Sequence, residues 1–406
     1  MAEPRPHGRP ALALVAAAAL WWPAGAAGAE RPEVTARAAI VVDAGDGHVL
    51  FRRAAADERP IASATKLMTA LVALEELPLG RKVRAVPYTP APAESRIDLR
   101  AGERMSVADL LRALLLESAN DAAETLAVRS AGSVGAFVHR MNERAAELGL
   151  RHTRFANPIG LDAPGAHSSA ADLARIAREF LRSDFLAATV DMPRARLLSG
   201  SHSRIVTNRN RLVRETPWVS GVKTGYTGEA GFVLVGSGTR RGATVVSVLL
   251  GAPSEAARDA DTLSLLRFGL GEYRRVRPVR AGSTLATAAV EYYGGREVEL
   301  VPARPLGVTV RRGQRLRTQV RAPGELSGPL PARARVGTVT VYRDGRRVRS
   351  AAVVTAGRVP EAGLARKAWF LVRGPLLVLA ALGGAAFLVV RRRRTPAAGQ
   401  RPARAG

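Results

Sequence analysis

The sequence predicts an α+β body, then a small all-β domain, then one membrane-crossing helix near the C-terminus. Three observations predict it. From residue 63 to residue 181 apolar side chains recur at spacings of three and four, the period of amphipathic helices. After Trp218 continuous apolar runs bounded by turn residues replace that pattern, as in buried strands. Beyond Tyr273 the helical pattern stops and short β-rich runs take over. Residues 374–390 are then 17 residues without a charge, followed at once by Arg391, Arg392, Arg393 and Arg394.

Along the chain, residues 38–43 read as a strand, Gly45-Asp46-Gly47 as a turn and residues 49–51 as the returning strand. A helix opens at Ser63, with Leu67, Met68, Leu71, Val72 and Leu74 on its apolar face, and Pro78 and Gly80 end it. Residues 81–104, which hold Pro87, Pro90 and Pro92, read as irregular. Ser106 with Asp109 three residues on has the form of a helix N-cap, and Leu110, Leu111, Leu114 and Leu115 form the stripe that follows. Further helices are expected over 133–148 and 169–181. Residues 232–235 and 243–250 read as a buried hairpin, and 254–268 as the closing helix. In the β-rich tail, 297–301, 307–310 and 335–342 read as strands. Arg343-Asp344-Gly345-Arg346 turns the last of them back into 348–355.

The ends of the chain carry their own signals. Arg5 and Arg9 precede an apolar run over 11–22, Pro23 breaks it, and Ala27-Gly28-Ala29 has the form of a small-residue cleavage site. This reads as a secretory signal. At the other end, residues 368–372 extend the uncharged run if Arg373 snorkels, Trp369 suits an interface, and the four arginines keep the tail on the cytoplasmic side. The expected division is a signal peptide over 1–29, the α+β body over 30–272, the β-rich domain over 273–360 and a linker over 361–367. A transmembrane helix over 368–390 and a cytoplasmic basic tail over 391–406 complete it. The body then stands outside a membrane, extracellular or periplasmic.

Net charge is +26, of which +21 lies from Tyr273 onward. Such a balance seeks anionic surroundings. The export signal and the apolar span argue against nucleic acid and for membrane or wall. The chain has no cysteine, which excludes disulfides, cysteine-ligated metal and cysteine nucleophiles. None of its six histidines stands in a metal-ligand spacing, and no metal or cofactor is expected.

Three short patterns carry chemistry: Ser63-Ala64-Thr65-Lys66, Ser118-Ala119-Asn120 and Lys223-Thr224-Gly225, with 55 and 105 residues between their first members. Each alone is weak, since about one S-x-x-K and about one S-x-N arise by chance in a chain this long. Their order and context carry the weight. Ser63 opens a helix, so Lys66 lies one turn along the same face. Ser118 sits at a corner between helices, and Lys223 on a strand-like run before the buried hairpin. A serine hydroxyl needs an adjacent base to act as nucleophile. A lysine serves if burial and a second cation lower its pKa, and Lys223 is the candidate second cation. The Ser63 amide and an amide on the Lys223 strand are candidate oxyanion donors. Lys223 and Thr224 suit a substrate carboxylate.

At these residues the chain resembles the penicillin-binding serine enzymes. More narrowly it is similar to the D-alanyl-D-alanine carboxypeptidases among the low-molecular-mass penicillin-binding proteins. The run Ile61-Ala62-Ser63-Ala64-Thr65-Lys66-Leu67-Met68-Thr69-Ala70 resembles that family's first motif. Ser118-Ala119-Asn120-Asp121-Ala122-Ala123 resembles its second and Gly221-Val222-Lys223-Thr224-Gly225-Tyr226-Thr227 its third. Asn157-Pro158-Ile159-Gly160-Leu161 and Thr207-Asn208-Arg209-Asn210 also fall where the family has similar runs. The resemblance extends over about 38–355.

It implies a β-lactamase/transpeptidase-like catalytic domain, an antiparallel sheet flanked by helices plus a helical cluster. It implies removal of the terminal D-Ala from peptidoglycan stem peptides, limiting cross-linking, and covalent trapping by β-lactams. Ser63 is implied as nucleophile, Lys66 as its base and Ser118 as proton relay. Asn120 is implied to hold the peptide amide and orient Lys66. Lys223 and Thr224 are implied to bind the terminal carboxylate, Gly225 to admit the substrate backbone and Tyr226 to give an oxyanion N–H. The chain departs from the best-known members in two places. They carry His where Tyr226 stands, and they often anchor by an amphipathic helix rather than a full span. A β-lactamase is the first alternative, but no E-x-x-L-N occurs between Asn120 and Lys223. A non-catalytic wall-binding protein on the same fold is the second, and a nucleic-acid binder at a membrane surface, suggested by charge alone, the third.

Overall fold

The computed structural model describes residues 18–20 and 31–393. Most of the expected signal peptide and the tail from 394 onward lie outside the described residues. The chain divides into two compact units, one built mainly from residues 24–275 and the other mainly from 276 onward.

The first unit is built on a five-stranded antiparallel sheet. Its strands are β1 (Ala38–Asp43), β2 (Val49–Arg53), β3 (Val219–Thr227), β4 (Gly231–Arg240) and β5 (Ala243–Ala252). The order is β2-β1-β5-β4-β3, which leaves β3 at an edge. Ala39 and Val41 of β1 face one core with Val245 and Leu249 of β5. Ala38, Ile40 and Val42 face the other with Val246 and Val248. Burial of both faces explains why these strands read as continuous apolar runs rather than alternating ones.

The expected helices form, with the expected cap at Ser106 and three further serine caps. Ser106 accepts from the Asp109 amide at 3.2 Å, and Ser133, Ser169 and Ser254 each accept from the amide three residues on at 3.1 Å. The helices near the site are α1 (Lys66–Glu76), α2 (Val107–Arg112) and α3 (Asn120–Ala131). The others are α4 (Val134–Glu147), α5 (Ala170–Phe180), α6 (Asp184–Asp191) and α7 (Glu255–Gly271). The helix from Ser63 begins as a tighter 3₁₀ turn, Ala62–Thr65, before α1 takes over. Helix α6, the short helix Arg211–Glu215 and the hairpin of Arg194–Leu197 with Arg204–Thr207 were not evident from periodicity.

The irregular 81–104 segment is pinned at both ends. The Lys82–Arg84 strand pairs with Arg104–Ser106. Glu103, buried, accepts from Arg204 Nη1 at 2.8 Å and Nη2 at 3.0 Å. Burial alone would raise the Glu103 carboxyl, but Arg204, Ser201 and Arg100 outweigh it and lower it to about 2. Glu103→Gln leaves a buried guanidinium without its counter-charge and is expected to cost about 3 kcal/mol. The folded pKa lies below the unfolded one, so the pair's stabilisation is present above the unfolded carboxyl pKa and is lost as pH falls toward 2. Thermal unfolding of both proteins at pH 7 and pH 3 checks this, because the gap between their midpoints should narrow at pH 3.

The second unit carries a seven-stranded sheet. It contains β6 (Ala286–Val290), β7 (Glu297–Pro302), β8 (Leu316–Arg321), β9 (Arg335–Arg343) and β10 (Arg346–Thr355). They lie in the order β8-β9-β10-β7-β6, with the short strand Ala18–Leu20 beside β8 and Glu325–Leu326 beside β6. The hairpin turn at Asp344 and Gly345 joins β9 to β10. After β10 the chain stays packed. Leu330 and Val359 exchange backbone hydrogen bonds, the Tyr293 hydroxyl donates to the Glu361 carbonyl at 2.9 Å, and Ala362 is buried. Helix α8 (Leu364–Arg393) then starts, with the Arg366 guanidinium 4.2 Å from the Tyr293 ring centre and Phe370 5.6 Å from Tyr292. An 18-residue window within its stretch Leu364–Leu388 has mean hydropathy 1.9, and the stretch is long and apolar enough to cross a membrane.

Candidate active site

The site begins at the 3₁₀ turn. Ala62 stands at φ 47°, in the left-handed region where a side chain costs about 1–2 kcal/mol. Lys66, one turn on, is 0% exposed. Its Nζ donates to Ser63 Oγ at 2.9 Å and to the Ile159 carbonyl. When that amine is neutral, the same contact reverses and the Ser63 hydroxyl donates to it.

The Ile159 carbonyl is placed by the 157–160 loop. Asn157 Oδ1 accepts from the amides of Ile159 at 3.2 Å and Gly160 at 2.6 Å, and Thr69 Oγ1 donates to the Pro158 carbonyl at 2.6 Å. Gly160 stands at φ 80°, and a Cβ there would lie 2.1 Å from the Ala62 carbonyl oxygen. Only glycine lets this loop close on the Ser63 turn.

The second wall is the corner between α2 and α3. The chain passes from α2 through a π-type turn, Ala113–Glu117, and stops at Ser118, left-handed at φ 63°. Asn120 then opens α3. Both are 5% exposed. Asn120 Nδ2 donates to Glu94 Oε2 at 2.7 Å, and its backbone amide donates to the Ser95 carbonyl at 2.8 Å. The Tyr88 hydroxyl also donates to Glu94, and the Ala91 amide reaches Glu94 Oε1 at 3.0 Å. Asp121, next along, accepts from the amides of Ile97 and Leu99, which binds the 95–99 segment to α3.

The third wall is β3, whose free edge faces the Ser63 turn. Lys223 is 1% exposed and its Nζ donates to the Thr224 carbonyl at 2.9 Å. A Cβ on Gly225 would lie 3.0 Å from the Ser63 nitrogen, so strand and turn are already in contact there. Tyr226 is 60% exposed and leans on the cross-strand Phe232, ring centres 4.5 Å apart.

Electrostatics follow from the burial of two lysines in one site. Burial holds the Lys66 ammonium well below its usual pKa, the charges of Lys223 and Arg209 add to the effect, and Glu94 opposes it. Lys223 is brought down to about 7, first by burial, then by Arg209 and Arg258, with Glu117 opposing. For Glu94, partial burial acts upward, but Tyr88, Ala91, Asn120 and the charge of Lys66 outweigh it and hold the carboxyl below its ordinary range.

Of the residues singled out from the sequence, Ser63, Lys66, Asn120, Lys223 and Gly225 are linked to one another by contact or charge. Ser63 touches Lys66 and lies against Gly225, while Lys66 feels Lys223 and the Glu94 that holds Asn120. Three side chains escaped the sequence reading. Glu94 sits in a proline-rich stretch with no local motif. Arg209 lies in a run already noted, and pairs with Glu117 at 3.0 Å beside Lys223. Nothing in the local pattern distinguishes Glu117.

The D-alanyl-D-alanine carboxypeptidase family model matches residues 26–254, and the model for the penicillin-binding protein 5 C-terminal domain matches residues 273–361. The D-alanyl-D-alanine carboxypeptidase DacF of Bacillus subtilis is 30% identical over 337 residues, 81% of this chain and 87% of its own. The structure of penicillin-binding protein 5 from Haemophilus influenzae superposes with TM-score 0.58 at 27% identity, covering 82% of this chain and 100% of that one. The Streptomyces K15 DD-transpeptidase structure superposes with TM-score 0.57 at 31% identity, covering 60% of this chain and 99% of that one.

Proposed function

The chain belongs to the D-alanyl-D-alanine carboxypeptidase family, as a serine-type peptidase hydrolase, and we propose how its residues carry that reaction. The substrate is a peptidoglycan stem peptide ending in D-Ala-D-Ala. Ser63 Oγ attacks the penultimate D-Ala carbonyl carbon while Lys66 takes the hydroxyl proton. The oxyanion is held by the amides of Ser63 and Tyr226. Ser118 passes a proton to the departing D-Ala amine, the C–N bond breaks, and water then cleaves the Ser63 ester. Lys223 and the Thr224 hydroxyl hold the terminal carboxylate, and Asn120 the peptide amide. Gly225 lets the substrate backbone lie along the open edge of β3, in the manner of an added strand. β-Lactams present a strained amide to the same groups and are trapped on Ser63.

The observation that carries this reading is the fully buried Lys66 amine 2.9 Å from Ser63 Oγ, with a second buried lysine to keep it neutral. The test is mass spectrometry after benzylpenicillin, with peptide mapping, beside D-Ala release from a D-Ala-D-Ala-terminated pentapeptide. A penicilloyl group on Ser63 together with D-Ala release is expected. Neither product from a folded sample sinks the reading, and rapid penicillin turnover without a lasting adduct replaces it with a β-lactamase.

A pH profile tests the two lysines together. Catalysis needs Lys66 neutral and Lys223 charged, so kcat/KM, which reports free enzyme, should fall above about 7 as Lys223 loses its proton. A bound carboxylate raises the Lys223 pKa, so the alkaline limb of kcat should lie at higher pH. Coincident limbs would remove Lys223 from carboxylate binding.

The unit from residue 276 onward and α8 support a membrane-held arrangement. In this reading residues 1–29 are a signal peptide, 30–272 the catalytic domain, 273–360 the β-rich domain and 361–367 its connection to the span over 368–390. The catalytic domain is outside the membrane, and Arg391 to Arg394 begin a cytoplasmic tail.

A further inference from the structure

We propose that Glu94 is a positioning residue for acylation: its carboxylate fixes which way round the Asn120 carboxamide stands. This rests on the carboxypeptidase reading above and goes beyond the three motifs.

The argument is one of donors and acceptors. An ionised carboxylate only accepts. Glu94 meets three donors, the Tyr88 hydroxyl, the Ala91 amide at 3.0 Å and Asn120 Nδ2 at 2.7 Å. The Asn120 nitrogen must therefore face Glu94. Its oxygen, and the second hydrogen of its nitrogen, are left for the reactive side. Carboxamide oxygen and nitrogen are nearly the same size, so packing alone would not choose between the two orientations. A partner that can only accept does choose.

Glu94 is itself held still. Its loop is tied to α3 by the Asn120 amide on the Ser95 carbonyl and by Asp121 on Ile97 and Leu99. Farther along, the same loop is anchored by the Glu103–Arg204 pair. A surface carboxylate that served only solubility would not gather three donors. Glu94 also supplies negative charge that bears on the titration of Lys66, against the cations Lys223 and Arg209. The other titratable groups that bear on Glu94 are Tyr88 and Glu124.

Glutamine at 94 offers one oxygen where three donors converge, so Asn120 turns over to give its oxygen to the new amide. Aspartate keeps both oxygens and the charge but falls one methylene short. The test uses the full chain in detergent, with Glu94→Gln and Glu94→Asp. Benzylpenicillin acylation and kcat/KM for D-Ala release are measured from pH 5 to 10 alongside the thermal midpoint. Glu94→Gln is expected to lose on the order of tenfold to a hundredfold in acylation, the worth of one charge-assisted hydrogen bond. Its acid limb should move to lower pH, because Lys66 has lost a nearby anion. Glu94→Asp should fall between it and wild type.

An acylation rate in Glu94→Gln within about twofold of wild type overturns the proposal, whatever the midpoint does, because Glu94 would then be a loop staple only. A loss that Glu94→Asp does not partly restore overturns it too. Should Glu94→Gln fail to fold, Glu94→Asp decides: wild-type acylation rate and acid limb overturn the proposal, and a clear fall in rate supports it. Wild type that neither acylates nor releases D-Ala would instead remove the carboxypeptidase reading.

Discussion

Ser63→Ala is expected to abolish the penicilloyl adduct and to lower D-Ala release by about 10⁶-fold, the scale on which removing an activated nucleophile acts. The rest of the site should survive the change. Lys66 keeps the Ile159 carbonyl, Gly225 still lies against the Ser63 nitrogen, and the loss of one hydroxyl leaves no room for collapse. The left-handed Ala62 is untouched. The thermal midpoint should therefore match or slightly exceed wild type, since active sites hold groups that do not favour folding. Intact-mass spectrometry reads the adduct and a scanning melt reads the fold. An adduct that persists on Ser63→Ala, mapped to another residue, would move the nucleophile and with it the assigned mechanism.

The second large effect belongs to Lys66→Arg, expected to lower acylation on the order of 10⁴-fold although a basic side chain is kept. A guanidinium does not give up its proton in a protein, so it cannot take one from Ser63. Lys66→Met is the informative companion, because it fills the same buried space without charge. Both should fail in acylation, yet they should part in stability. Methionine removes a buried amine and should raise the midpoint. Arginine adds a permanent cation beside Lys223 and Arg209 and should lower it. Near-wild-type acylation by Lys66→Arg would show that position 66 supplies only positive charge, and the base would have to be sought elsewhere.

The parts of this site that were legible in the sequence are those whose geometry is local. Ser63 and Lys66 meet because three residues make one turn, and Ser118 and Asn120 share one helix start. The cap at Ser106 is local as well, and it forms. What the sequence hid depends on distant partners. Glu94 meets Asn120 in a segment tied down by Asp121 and by the Glu103–Arg204 pair, whose partners are 101 residues apart. Nothing in a proline-rich stretch announces that. β3 read as a short run because Ser220, Gly221, Lys223, Thr224 and Gly225 break its apolar pattern. Lys223, Thr224 and Gly225 are residues proposed for the site, and polar or small residues of that kind disturb the usual look of a strand.

The junction between β10 and α8 has a further consequence. Val359 and Ala362 are buried and the helix opens at Leu364, so almost no slack separates the β-rich unit from the segment that would enter a bilayer. With α8 in a bilayer, that unit would be held close to the lipid surface rather than on a long leash. The chain would then meet its substrate by diffusion in two dimensions along the lipid.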